Sequence, residues 1–390
     1  MTAKPRNATL RTYVDPFLDM KRNLVYLGTF LGVFGFGLVN IFSSYDLGAG
    51  GYAHLAAYFA PAILLAGFVY YPLLYMGFST ADGLKWRFFL FALQLAAIAA
   101  YLIAPPIPFW RGLAAGIVLA PFWTSHHIAM VQNTTTANRG FEVALSMFVN
   151  LLSGVATALI AAHYLKEASP IIAVSIALIA MMAGTGCLLL ASRCVRQNMA
   201  HAFVKECKDV MHDNPYMARR IISQSLFEAA SFTIAALMFQ VGISPTIMAT
   251  ILIARLAVMA FLSPLVGKIA HNHRQHGYAL ALFFIGLSWV VLALMPSNPF
   301  VFFAFMILYA IGMAFADSAL VSGLYEMQSY ASMLWSEFYL SVGRSAGFLL
   351  FVPLMFVNVT LYLLALAALA GALYVFNRRW QKRWAEAGAM

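Results

Sequence analysis

Long apolar stretches recur along the whole sequence, and this pattern constrains the fold more than any other feature. Each stretch is about as long as a helix must be to cross the hydrocarbon core of a bilayer, which takes about 20 apolar residues. Strands of a membrane β-barrel would instead alternate apolar and polar residues over about 10 positions. The apolar runs here are continuous. We therefore predict an all-α polytopic membrane protein with about 12 transmembrane helices.

The predicted spans follow one another with short connections, apart from one long polar interval near the middle of the chain. They are Asn23–Phe42, Leu55–Met76, Phe88–Ile103, Phe109–Val131, Val143–Tyr164, Ile171–Ala191, Ile221–Val241, Thr246–Ile269, Tyr278–Met295, Phe300–Leu324, Ser332–Phe356 and Val359–Phe376.

The composition excludes a water-soluble protein. The chain of 390 residues is 63% hydrophobic and 10% charged, whereas a soluble domain carries about 25% charged residues. The sequence contains no Walker phosphate loop or zinc-protease motif, and no pairing of a nucleophile with a base stands out. We therefore expect a protein that is not an enzyme, with no cofactor and no metal site.

The distribution of basic residues predicts the orientation. The formal net charge is +10, but we do not expect a nucleic-acid partner, because the charges lie beside the spans. Of the 24 Lys and Arg residues, 20 fall on one side, Arg111 and Lys166 fall on the other, and Arg255 and Arg344 lie within spans. The positive-inside rule then places both termini in the cytoplasm. We expect a multi-pass protein of the inner (plasma) membrane, of bacterial type.

The central polar interval divides the spans into two sets of six. We predict an N-terminal six-helix bundle over residues 1–192, a cytoplasmic linker over 193–220 and a C-terminal six-helix bundle over 221–390. Apolar residues recur at helical spacing within the linker, which favours an amphipathic helix on the membrane surface over a plain solvated connector.

Local patterns recur at about half the length of the chain. Pro-Phe begins spans four and ten, at Pro108 and Pro299, and Glu-x-x-x-Ser occurs near the start of spans five and eleven, at Glu142 and Glu337. Both pairs are about 190 residues apart, which indicates a parallel duplication of six spans.

Two sets of six spans, a basic central linker and repeated halves together resemble the major facilitator superfamily. The loop after span two carries the residue types of that family's signature, namely Gly77, Asp82, Gly83 and Arg87, with Asp82 and Gly83 displaced by one position. The second copy of the loop, which begins at Gly267, lacks the Asp. The resemblance implies alternating access, in which two bundles rock around a central site, with the loop acting in gating.

Charged side chains inside predicted spans are candidates for the transport pathway, because a charge at a helix centre costs at least about 2.5–3.5 kcal/mol. They are Glu228, Arg255, Asp317, Glu337 and Arg344. Glu228 and Asp317 are the predicted proton carriers, and a fixed ion pair with one of the arginines is the alternative. Arg344 lies two helical turns from Glu337, so the two share a face. The arginines favour an anionic or zwitterionic solute.

Uncharged polar residues within or next to the spans complete the predicted pathway. They are Asn40, His126, His127, Gln132 and Asn150. Histidine titrates near neutral pH and can bind substrate or protons, whereas hydrogen bonding between helices is its alternative role.

We therefore predict a secondary active transporter of a small organic solute, working by alternating access and coupled to protons. The alternative of a different class is a transport-inactive assembly factor or scaffold for a membrane complex. A drug exporter and a copper transporter are lesser alternatives. The expected partners are the solute, protons and the lipid bilayer, and the expected state is a monomer.

Overall fold

The computed structural model describes residues 20–79, 83–103, 107–133, 139–166, 170–192, 234–272, 274–326 and 330–386. The described residues form α-helices joined by short connections, with no strand among them. The predicted all-α class is therefore confirmed.

Six helices precede the central linker, and each contains one predicted span. They are α1 (Met20–Ala49), α2 (Tyr52–Ser79), α3 (Gly83–Ile103), α4 (Pro108–Asn133), α5 (Arg139–Lys166) and α6 (Pro170–Ala191). The linker and the beginning of the seventh span lie outside the described residues, and so does the amphipathic helix predicted there.

The second half begins with helical residues 234–240, here α7, which lie in the predicted seventh span. The following helices are α8 (Pro245–Asn272), α9 (Arg274–Leu294), α10 (Pro299–Glu326), α11 (Tyr330–Leu350), α12 (Val352–Val357) and α13 (Val359–Glu386). Ten stretches of the described chain are long and apolar enough to cross a membrane, and α5 contributes a shorter apolar stretch, Phe148–Tyr164. The membrane-spanning class predicted from the sequence agrees with this finding.

The eleventh span differs from its prediction because it is divided into two helices. The sequence predicts one helix over Ser332–Phe356, whereas α11 ends at Leu350 and α12 begins at Val352. A proline follows at the start of α12, and proline has no N–H to donate to the preceding helical turn. Phe351 is the junction, and its carbonyl accepts a hydrogen bond from the N–H of Leu354 at 3.0 Å.

The helices before the linker pack mainly among themselves, with α1 against α5 and α6, and α4 against α2 and α3. Hydroxyl groups of α5 reinforce its contact with α1. Ser153 donates to the carbonyl of Phe30 at 3.0 Å, and Thr157 donates to the carbonyl of Phe34 at 3.2 Å. In the second half, α10 packs against α8 and α9, and α9 packs against α13.

Among the described residues, the main contacts between the halves are those of α2 with α11 and of α5 with α8, and α12 also contacts α2. If six spans are duplicated, α2 corresponds to α8 and α5 to α11, so each pair is the counterpart of the other. In each of these two pairs, a glycine lets the helices approach each other closely. A Cβ built on Gly67 would lie 2.6 Å from Oγ of Ser341, and one built on Gly154 would lie 2.9 Å from Cδ1 of Leu256. The limits of the two bundles and the cytoplasmic location of the termini stay predictions.

Candidate functional site

A first cavity lies beside α2, with walls from α1, α3, α4, α6 and α11. It encloses about 850 Å³, counting the part that is open to solvent. Its lining is largely apolar and aromatic, and the aromatic residues that line it are Phe36, Tyr58, Phe59, Tyr101 and Trp123. Arg344 and Ser341 of α11 also line it, so the second half of the chain provides its charged group.

A second cavity lies on the other side of α1, with walls from α5, α7 and α8. It encloses about 760 Å³ on the same measure. Arg255 of α8 and Thr157 of α5 line it. Phe36 and Asn40 of α1 line both cavities. The two cavities therefore adjoin at α1, and among the described residues that line them, the charged ones are Arg255 and Arg344.

The ring of Tyr309 on α10 packs against the guanidinium group of Arg255. The guanidinium carbon lies 5.3 Å from the ring centroid, within the range of a cation–π interaction. Tyr309 is completely buried, and its ring contacts Trp289 and Phe305 at centroid distances of 5.4 and 5.6 Å. This aromatic cluster gives the arginine a rigid support within an apolar region.

Arg344 lies one helical turn beyond Ser341, where α11 meets α2. Glu337 lies on the same helix, two turns earlier, as the sequence predicts, and Asp317 lies on α10. The side chains of both acidic residues fall outside what the structure describes, and Glu228 falls outside the described residues altogether. Their roles as proton carriers or ion-pair partners therefore stay predictions.

His126 lies behind Trp123 and does not line either cavity. It is 6% exposed, its ring meets that of Trp123 edge-on at 5.5 Å, and its Nδ1 is 3.1 Å from the hydroxyl of Thr29 on α1. The ring of His127 lies 6.1 Å from that of Trp123. The structure therefore connects both predicted histidines to the first cavity through one tryptophan, and it gives His126 a bond between helices.

The remaining predicted polar residues are dispersed. Asn40 lines both cavities, whereas Asn150 lines neither. The Oδ1 atom of Asn150 is buried, and it accepts no hydrogen bond from any described group. Gln132 lies in the last turn of α4, and its side chain is not described. The described residues contain no group of three or more His, Cys, Asp or Glu that could hold a metal ion.

The predicted gating loop is short. Gly77 lies in the last turn of α2, Gly83 begins α3, and Asp82 lies outside the described residues. Arg87 donates a hydrogen bond to the carbonyl of Ser192, the residue after the end of α6. A cation at the end of a helix stabilises the unpaired carbonyl groups there. Arg87, predicted in the loop, therefore lies in the first turns of α3 and fixes that helix to the C-terminal end of α6.

Sequence reasoning missed most of the aromatic lining of the first cavity. Tyr58, Phe59 and Tyr101 lie in apolar spans, where aromatic residues are common filler, and no periodicity separates a cavity wall from a lipid-facing surface. The one local signal of a cavity wall in the sequence is a Tyr well inside a span, because a buried hydroxyl requires a partner.

Comparison with solved structures identifies the architecture. No protein-family model matches the sequence, and no curated protein matches it either. A POT family transporter in complex with a thioalcohol-conjugated peptide superposes with a TM-score of 0.72 at 9% identity, over 93% of this chain and 96% of that one. The chain has the major facilitator fold. The resemblance predicted from the sequence is thus confirmed at the level of the fold.

Two further structures with this fold give the same result. The human organic anion transporter MFSD10 (TETRAN) superposes with a TM-score of 0.63 at 13% identity, over 91% of this chain and 98% of that one. A POT family transporter in complex with 5-aminolevulinic acid superposes with a TM-score of 0.66 at 9% identity, over 91% and 94%. All three of these solved structures are of transporters.

Proposed function

We propose that the protein is a secondary transporter that moves a small organic anion across the membrane by alternating access. The observation that carries the proposal is the position of Arg255 and Arg344, which line two adjoining cavities on either side of α1. Both arginines come from the second half of the chain, whereas Phe36 and Asn40 of the first half line both cavities. A solute bound there would contact both halves.

The physical argument is the cost of an arginine within a bilayer. Its guanidinium group stays protonated, so the charge must be compensated rather than removed. A carboxylate or phosphate group on a solute adds to that compensation and forms two parallel hydrogen bonds with the planar guanidinium. The human neighbour MFSD10 is an organic anion transporter, and the shared fold supports the same general mechanism here.

The test is counterflow of radiolabelled small carboxylates and phosphate esters in proteoliposomes. We expect Arg255→Gln and Arg344→Gln each to reduce exchange at least about tenfold, since one charge-assisted hydrogen bond contributes about 1.5–3 kcal/mol. Arg255→Lys and Arg344→Lys should retain more exchange. Arg378→Gln is the matched control, because Arg378 is exposed and packs on Tyr374 at the end of α13. Exchange that is insensitive to both Gln variants would refute the proposal.

We further propose that transport is coupled to protons through Glu228 and Asp317. Both carboxylates lie in predicted spans, and a carboxylate that moves between environments of different polarity changes its proton affinity. Glu228→Gln and Asp317→Asn imitate the protonated side chain. We expect one of them to abolish accumulation driven by a pH gradient while counterflow continues. Accumulation that persists in both variants would contradict the assignment.

Export of amphipathic compounds is a second candidate, favoured by the five aromatic rings of the first cavity. Such a protein would bind apolar, ring-containing solutes without needing an anionic group. Binding of ethidium or another aromatic cation, unchanged in Arg344→Gln and weakened in Trp123→Leu, would favour export over anion transport. A transport-inactive scaffold predicts that no solute from either class binds and that a membrane complex fails to assemble in cells lacking the protein.

A further inference from the structure

We infer that Tyr58 is a second substrate-binding residue, which donates a hydrogen bond to an acceptor oxygen of the solute, and that Arg111 positions and polarises it. The inference rests on the proposed function and narrows the substrate class. The solute would be an organic anion with one anionic group for Arg344 and a second oxygen acceptor, as in a dicarboxylate, a keto acid or a hydroxy acid.

The hydroxyl of Tyr58 is the first element of the argument. Tyr58 is 3% exposed and lines the first cavity together with Arg344. Its hydroxyl oxygen is buried and completes no hydrogen bond within the described part of the protein. Ser43 and Tyr101 approach it without reaching standard hydrogen-bond geometry. Burying a hydroxyl without a partner is unfavourable, so a partner supplied by a bound solute would recover that cost.

Arg111 is the second element. It lies in the first turn of α4, next to Gly112, whose missing side chain lets α4 approach the backbone of Tyr58 on α2. Arg111 is close enough to act electrostatically on the Tyr58 phenol. Its Nε is also buried, and it donates no hydrogen bond to a described group. A cation near a phenol stabilises negative charge on the oxygen, so the O–H becomes a better donor.

The direction of the hydrogen bond follows from this charge. A phenol can donate or accept, but beside a guanidinium it favours donation, and the solute must then present an acceptor. Arg111 does not line the cavity, so it acts through Tyr58. Tyr58 belongs to the first half of the chain and Arg344 to the second, so a solute held by both would bridge the halves.

The experiment uses pairs of carboxylates that differ by one group bearing an oxygen acceptor. Succinate has a second carboxylate where butyrate has a methyl group, and 4-hydroxybenzoate has a hydroxyl that benzoate lacks. Binding is measured by ligand-induced thermal stabilisation of the purified full chain. Wild type is expected to prefer the acceptor-bearing member of at least one pair. Tyr58→Phe removes only the hydroxyl, and it should reduce that preference about tenfold, the value of one hydrogen bond, while the other member binds unchanged.

Arg111 is tested by the same preference, the ratio of the binding constants for the two members of a pair. A purely structural role of Arg111 would not change this ratio. Arg111→Gln should reduce the preference and Arg111→Lys should restore part of it, since Lys keeps the charge. In the Tyr58→Phe background, Arg111→Gln should have no further effect on the ratio. A preference that survives both Tyr58→Phe and Arg111→Gln would overturn the inference.

Arg344→Gln separates this inference from the proposed function. If anions bind, and binding is lost in Arg344→Gln but the preference is unchanged in Tyr58→Phe, anion transport stands and the role of Tyr58 fails. If no carboxylate binds, or binding is insensitive to Arg344→Gln, the proposed function fails and the inference fails with it.

Discussion

Thr29 accepts a hydrogen bond from Nδ1 of His126 across the contact between α1 and α4, at 3.1 Å. The direction follows from a second bond, because the Thr29 hydroxyl donates its one hydrogen to the carbonyl of Val25 at 2.8 Å. Nδ1 of His126 must therefore carry a hydrogen. Thr29 is completely buried, so neither group can turn to water without separating the helices.

This bond predicts a loss of stability in Thr29→Val, which keeps the shape and removes the acceptor. A buried donor left without its partner costs about 1–3 kcal/mol, so the temperature of unfolding in detergent should fall. Thr29→Ser keeps the hydroxyl and is the matched control. In the His126→Ala background, Thr29→Val should cost much less, and equal costs in the two backgrounds would show that the bond contributes nothing.

The approach of Gly67 to Ser341 predicts a pair of compensating substitutions at the contact between α2 and α11. Gly67→Ala should lower both exchange and thermal stability, because the new Cβ would lie 2.6 Å from Oγ and 2.7 Å from Cβ of Ser341. Overpacking of this kind costs about 1–3 kcal/mol. Adding Ser341→Gly removes both opposing atoms and should restore the loss.

Gly371→Ala is the control for this pair, since no neighbouring atom lies within 4 Å of a Cβ built there. It should leave exchange unchanged. If the Ser341→Gly substitution fails to rescue Gly67→Ala, the contact is not the cause of the defect.

The support of Arg255 by Tyr309 predicts a graded response to changes in the ring. Tyr309→Phe keeps the aromatic face and should retain exchange within about twofold. Tyr309→Leu removes the cation–π interaction, which contributes about 0.5–2 kcal/mol, and should reduce exchange several-fold. Because Leu also disturbs packing, the same change is made in Arg255→Gln, where it should cause little further loss of exchange. If Tyr309→Leu reduces exchange as strongly in Arg255→Gln as in wild type, its effect comes from packing alone.

The hydrogen bond from Arg87 to Ser192 predicts that this arginine of α3 stabilises the end of α6. Arg87→Gln removes a cation from a helix C-terminus, which costs about 0.3–2 kcal/mol depending on burial, so thermal unfolding should occur at a lower temperature. Lys85→Gln changes an exposed charge in the same turn of α3 and should have a smaller effect. Equal effects would indicate a general charge effect rather than this bond.

The sequence was sufficient to predict the spans because hydrophobicity along one helix is a local property. Hydropathy did not predict the break in the helix at Phe351, which precedes the proline of α12 within the eleventh span. The arginines inside spans were recognisable as site candidates for the same local reason, since a charge among apolar residues is conspicuous.

The sequence by itself determined that this chain is a helical membrane protein, and which of its residues are too polar for lipid. Only the tertiary structure decided which of them meet. It placed Arg255 and Arg344 on adjoining cavities, packed His126 against Trp123, and brought Arg111 within electrostatic range of Tyr58. Such contacts join residues far apart in sequence, and they depend on how whole helices pack, which no pattern along a single helix encodes.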